Sequence, residues 1–80
     1  MSNLKKYHKI FIDTFAINEK KIKLASLKYQ DIQEWDSIGH MTLISNIEEQ
    51  FKISVETDDI VDFGSFKKGM EILKKYKIKF

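Results

Sequence analysis

The sequence predicts an all-α protein: a small bundle of three to four helices with a long loop between the first and second. Two observations lead there. Apolar residues recur at three- and four-residue spacing in three separate segments, the signature of helices with one buried face. The chain also has no proline and only 3 glycines in 80 residues, a poor supply of turn formers for a β-sandwich and a sufficient one for helices. At 42% hydrophobic and 12% aromatic residues, it has enough apolar material to fold around one modest core. That length implies a single domain over residues 1–80.

The first helix is expected over about residues 3–15, where Leu4, Tyr7, Phe11 and Phe15 recur, with Ile10 and Ile12 alongside. Asn18 suits a turn just beyond. From 18 to 36 no period persists. Ile22, Leu24, Leu27, Ile32 and Trp35 are spaced like the anchors of a loop pinned to a core, and loops of this length are often functional. A second helix is expected over 37–51, started by a cap at Asp36 or Ser37. Within it Leu43, Ile47 and Phe51 keep a four-residue row, and Ile38, Met41 and Ile44 form an adjacent, exposed row. Ile53 and Val55 plug the core from the connector. A short helix over 57–62 follows, with Gly64 suited to its end. Ser65 caps a last helix over 66–76, with Phe66, Met70 and Leu73 inward. The basic tail "KKYKIKF" is expected to fray. The core should close around Phe11, Phe15, Leu43, Ile47, Phe51, Phe66, Met70 and Leu73, with Trp35 anchoring the loop and His8 at the boundary of the first helix.

Composition excludes several kinds of chemistry. Cysteine is absent, which removes disulfides, thiolate metal sites and cysteine nucleophiles together; any thiol chemistry needs an imported thiol. No apolar run reaches the length of a transmembrane helix. The N-terminus alternates lysine with apolar residues and has no continuous apolar signal core, so a cytoplasmic location is expected. The net charge of +2 hides a segregation. Residues 1–29 carry +5, residues 30–63 carry −8 with Lys52 their sole cation, and residues 64–80 carry +5. The acidic middle would attract a basic partner and repel nucleic acid.

The stretch "EWDSIGHM" at 34–41 concentrates the functional question. Ser37 admits three readings: a helix cap, a nucleophile, or a point of attachment. A catalytic serine needs a base and an oxyanion site in a pocket; His40 shares a helix face with Ser37, but a deep cavity is not expected in so short a helical chain. Asp36 and His40 could share a metal, yet two ligands do not make a site. A serine modified by another protein needs exposure, a defined helix terminus and a docking surface, and a phosphodiester there would sit at the positive end of the helix macrodipole.

With "DSI" at 36–38, "IEEQF" at 47–51, "ISVETDDI" at 53–60 and "FGSFKKGMEIL" at 63–73, the chain resembles the acyl carrier protein family over residues 3–76. The resemblance implies a non-catalytic carrier. The Ser37 hydroxyl would attack the pyrophosphate of coenzyme A, with a separate phosphopantetheinyl transferase and its Mg²⁺ as catalyst. Ser37 would then hold 4′-phosphopantetheine, whose terminal thiol carries acyl or aminoacyl groups as thioesters. Asp36 matches the aspartate that helps position serine and metal in the transferase complex. Ile38, Met41 and Ile44 match apolar partner-contact positions, Glu48 and Glu49 match acidic residues that meet Arg and Lys on partner enzymes, and Asp58, Asp59 and Asp62 match the acidic third helix. A loading ligase and downstream transferases or synthases would be the further partners, and a monomer is expected.

Several residues depart from the family pattern. Gly39 and His40 stand where acidic or polar residues are frequent, Thr42 and Ser45 where acid or Met is common, and Trp35 where a small residue is frequent. Both ends are rich in lysine, whereas many members are acidic throughout. These departures point to a dedicated carrier of one pathway rather than a housekeeping fatty-acid carrier. The rival readings are an unmodified helical interaction module and a basic-ended domain for nucleic acid or anionic lipid.

Overall fold

The computed structural model describes residues 2–18 and 20–80. Among these residues it has four helices, α1 (Asn3–Phe15), α2 (Ser37–Phe51), α3 (Thr57–Asp62) and α4 (Phe66–Lys74), and a 3₁₀ turn at Leu24–Ser26. Among the described residues there is no strand, only an isolated antiparallel bridge between Lys28 and Ser65. The protein is an all-α bundle.

Three of the helices, α1, α2 and α4, start at a side-chain cap. The Ser2 hydroxyl accepts from the Lys5 N–H at 3.2 Å and the Ser65 hydroxyl from the Lys68 N–H at 3.0 Å, so each side chain satisfies one orphan donor. The helix ends are less orthodox. Ala16 and Lys52 close α1 and α2 in the left-handed conformation, at φ of 52° and 55°. Gly64 does not take that role at the end of α3: no glycine has positive φ, and Phe63 closes the helix at φ −73°. The tyrosine at position 29 instead donates its backbone N–H to the Gly64 carbonyl at 2.9 Å.

α1 buries Tyr7, Ile10, Phe11 and Phe15 as one stripe. It packs antiparallel to α2: Lys6 at its start donates to the Gln50 carbonyl at 3.4 Å, and Thr14 near its end accepts from Asn46 Nδ2 at 2.8 Å. Phe11 sits at the centre of an aromatic core, with ring neighbours Tyr7, Phe15, Trp35, Phe63 and Phe66. Tyr7 is fully buried and donates its hydroxyl to the Phe66 carbonyl at 2.7 Å. Burial raises its phenol far above the ordinary range, so it stays a neutral donor.

The long loop is pinned by Leu24, Leu27 and Trp35, all buried, with Ile22 and Ile32 packed at the margin. The Phe66 N–H donates to the Leu27 carbonyl at 2.9 Å, which ties this loop to the start of α4. Val55 is buried and Ile53 is partly so. Four expectations need correction. Phe51, the last residue of α2, is only partly buried, and so is Met70, because α4 turns Gly69, Ile72 and Leu73 inward instead. The last helix ends at Lys74, not Tyr76. The C-terminal tail is packed, not frayed: Ile78 is buried, Phe80 lies against Tyr7 and Phe51, and Asn3 Nδ2 donates to the Lys79 carbonyl at 2.9 Å. Apolar residues at alternate positions in "KIKF" give this segment something to bury once the helix has stopped.

Gly69 sets how closely α4 approaches α1 and Phe63. A Cβ there would collide with the Phe63 ring and the Tyr7 hydroxyl. Gly69→Ala should therefore destabilise the fold by about 1–3 kcal/mol, the usual cost of overpacking a filled core, despite alanine's better helix propensity. Urea denaturation of the two proteins measures the difference.

Candidate functional site around Ser37

The chain reaches Ser37 through a tight turn. Trp35 N–H donates to the Ile32 carbonyl and Gln30 N–H to the Trp35 carbonyl, both at 3.1 Å. Gln30 accommodates this with a left-handed φ of 70°. Asp36 then caps α2, its Oδ1 accepting from the Gly39 N–H at 2.8 Å. Of the two residues that could have capped the helix, the aspartate does so. Ser37 is the first helical residue, and its side chain is free of that duty and exposed. Its Oγ lies 3.3 Å from the Tyr29 hydroxyl, and it points from the positive end of a 15-residue helix.

Gly39 and His40 now have a physical account. A Cβ on Gly39 would collide with the backbone carbonyl of Glu34, so this position must be glycine for the loop to close over the start of α2. That closure places Trp35 beside His40. The indole Nε1–H donates to His40 Nδ1 at 2.9 Å. Since an indole nitrogen only donates, Nδ1 must be the acceptor and Nε2 carries the hydrogen. Nε2–H donates in turn to the Ile60 carbonyl on α3 at 2.8 Å. Both ring nitrogens are therefore engaged away from Ser37, and the imidazole is not set to take the serine proton or to bind a metal with Asp36. Among the described residues no group of three or more metal-ligating side chains is gathered anywhere.

Around Ser37 lies an apolar groove of about 360 Å³, lined by Tyr29, Ser37, His40, Met41, Ile60, Val61 and Phe63. Its volume is at the lower end of the range for small-molecule sites. Ile38 (79% exposed), Met41 (55%) and Val61 (77%) present large apolar side chains to solvent on either side of it. Ile44 does not belong to this surface. It is 1% exposed, because it falls beside Leu43 and one turn before Ile47 on the buried stripe. The exposed row of α2 continues instead through Thr42 and Ser45.

The acidic residues divide in the same way. Glu49 and Asp58 are exposed. Glu48 is half-buried and folds back on its own connector, its Oε2 accepting from the Val55 N–H at 2.8 Å. Asp59 is buried and faces inward, so it leaves the candidate docking set. Lys75 Nζ reaches its Oδ1 at 2.6 Å and the Tyr76 hydroxyl its Oδ2 at 2.5 Å. The Lys75 bond first, then the Tyr76 bond, hold the Asp59 carboxyl below the usual carboxylate range. The same bond to Asp59 raises the Lys75 ammonium, and Asp59 likewise raises the Tyr76 phenol. Tyr76 also accepts from the Glu56 N–H at 3.0 Å, so this cluster ties both the start and the middle of α3 to the end of α4.

Tyr29, His40, Ile60 and Phe63 complete the surroundings of Ser37; the sequence offers His40 as a base or metal partner, roles its two hydrogen bonds do not serve, and the other three do not read as site residues. Tyr29 sits in an aperiodic loop, and Phe63 falls outside the apolar rows of the expected helices. The one available signal was the unusual glycine–histidine pair directly after the "DSI" motif.

Ser37 is thus an exposed serine at the start of the second helix of a small helical bundle, beside an apolar groove. Comparison of sequences carries this further. The chain is 32% identical over 77 residues to the acyl carrier protein of Buchnera aphidicola subsp. Baizongia pistaciae (strain Bp), covering 95% of this chain and 97% of that protein. It belongs to the acyl carrier protein family. No family model matches the chain, and no solved structure matches it. No helix among the described residues is long and apolar enough to cross a membrane.

The depressed carboxyl of Asp59 has a pH consequence. Its folded-state value lies below its unfolded one, so the stabilisation is present above the ordinary carboxylate value and is lost as pH falls through the depressed one. Asp59→Asn should lower the thermal midpoint at neutral pH, and its deficit should shrink as pH drops below about 4. Thermal melts of both proteins across a pH series give the comparison.

Proposed function

We propose that this protein is a carrier whose Ser37 Oγ receives 4′-phosphopantetheine from coenzyme A. The observation that carries this reading is the division of labour at residues 36 and 37. Asp36 takes over the cap, which leaves the Ser37 hydroxyl exposed at a helix N-terminus. A phosphodiester fits this position: its negative charge is favoured by the macrodipole, and the Tyr29 hydroxyl stands within reach. The groove beside Ser37 offers apolar surface to a flexible arm. When bound, the group supplies the thiol that forms a thioester with acyl or aminoacyl cargo, in a chain with no cysteine of its own. The protein's own residues fix the attachment point and present it, and the chemistry of transfer and loading belongs to partner enzymes.

The partner surface in this reading centres on Ile38 and Met41, with Val61 opposite and Glu49 and Asp58 at its rim. Exposed apolar side chains ringed by charge are the usual composition of a docking patch. The departures of Trp35, Gly39 and His40 from the family's pattern favour a carrier dedicated to one biosynthetic pathway, in a cytoplasmic setting.

Incubation with coenzyme A and a broad-specificity phosphopantetheinyl transferase should add the mass of one phosphopantetheine, and Ser37→Ala should add none. Intact-protein mass spectrometry reads this directly; failure with several transferases would sink the proposal. Substituting Ile38→Asp together with Met41→Asp should slow modification by about tenfold or more while leaving the thermal midpoint nearly unchanged, because both side chains are exposed. An initial-rate assay against the parent protein measures it.

A further inference from the structure

His40 joins three parts of the molecule that the chain does not otherwise connect at this point. It rides on α2, accepts from Trp35 of the loop at 2.9 Å and donates to Ile60 of α3 at 2.8 Å. Its ring lies nearly parallel to the Trp35 indole, with 17° between the planes. It meets Tyr29 and Phe63 edge-on, at centroid distances of 5.5 and 6.0 Å.

We infer that neutral His40 is a positioning residue that latches α3 to α2 beside Ser37, and that a proton on Nδ1 releases the latch. The chemistry follows from the donor and acceptor inventory. Trp35 Nε1 can only donate, so it needs the unprotonated Nδ1. An imidazolium carries hydrogen on both nitrogens and turns that 2.9 Å contact into two opposed donors. The indole is fully buried, so its N–H loses its partner where water cannot replace it. The ring must then move, and the Ile60 contact moves with it.

α3 is the element that such a movement would free. It has only 6 residues, too few to persist as a helix without tertiary support. On the α4 side it is held by Asp59 and by the Glu56–Tyr76 bond. On the α2 side the polar link is the His40–Ile60 bond. The surroundings offer little to offset a charge on the ring. Tyr29 is the titratable group against it from the loop, and α1 contributes none to its ring contacts. On α2 itself, Asp36 keeps its charge one turn before His40, exposed to solvent and with Oδ1 on the Gly39 N–H. On α3, Asp59 turns to Lys75 and Tyr76, and Asp58 and Asp62 face solvent. With the latch closed, the groove beside Ser37 has a fixed wall formed by Ile60 and Val61 of α3; release lets that wall swing out and the groove widen, while Phe63 stays in the core.

The inference concerns the unmodified protein and holds whether or not Ser37 carries a group, so it is tested there. Amide hydrogen exchange by NMR, corrected for intrinsic rates, is followed from about pH 8 to about pH 5, the range in which imidazoles titrate. In the wild-type protein the Trp35 Nε1–H resonance should shift as pH falls. The amides of residues 60–63 should lose about tenfold protection relative to those of α1, the scale of two ordinary net hydrogen bonds. His40→Gln, which cannot titrate, should show no such step, and His40→Ala should show the loss at every pH. The other histidine, His8, lies on α1 against Phe66, so a step that persists in His40→Gln would assign the effect elsewhere and overturn the latch. Unchanged α3 protection across the range in the wild-type protein would overturn it as well. Should His40→Ala fail to fold, the comparison of wild type with His40→Gln decides. Ser37→Ala should keep the step, which separates this result from the fate of the attachment site.

Discussion

The bundle depends on a single buried indole. Trp35 is fully enclosed, stacked on Phe15 with 28° between planes and met edge-on by Phe11 and Tyr29. Aromatic pairs of this kind contribute about 0.5–1.5 kcal/mol each beyond the area they bury. The indole also carries one polar atom into the core, and an indole N–H buried without a partner is costly. His40 resolves that constraint by accepting the bond, and the ring orientation this requires aims Nε2–H at α3. One apolar anchor thereby sets the end of the long loop, the entry into α2 and the seat of α3.

The exposed serine is a consequence of that packing. Trp35 fixes the chain immediately before the helix, so Asp36 falls at the capping position and Ser37 inside the first turn. Gly39 lets the Glu34 carbonyl approach closely enough for the turn to close. A larger residue at 39 or a smaller one at 35 would disturb the same few ångströms of backbone on which the Ser37 hydroxyl depends. The sequence departures around Ser37 thus form one connected unit, not separate substitutions in a docking surface.

The acidic middle of the chain is likewise not one surface. Asp36 caps a helix, Glu48 braces a connector, and Asp59 is clasped by Lys75 and Tyr76. The Asp59–Lys75 contact pairs the acidic block with the basic C-terminal segment, so part of the charge segregation along the chain is cancelled in space. Glu49, Asp58 and Asp62 remain exposed.

The sequence by itself determined the helices, because apolar spacing and serine or aspartate caps are local signals. It also carried the family resemblance and the singular serine, since "DSI" with the downstream acidic and apolar pattern lies within one continuous stretch. The tertiary structure decided the rest. Which of Asp36 and Ser37 caps α2 turned on how Trp35 seats the preceding backbone. Whether Ile44 and Asp59 face out or in turned on the rotation of α2 and α3 against partners distant in the chain. The tail packed because Tyr7 and Phe51 provide a surface that no local pattern reveals. Gly39 and His40, opaque as a dipeptide, acquire meaning only through Glu34, Trp35 and Ile60. Hydrogen bonds and steric limits between separate elements depend on distances in space, and a linear pattern does not encode those until the core has closed.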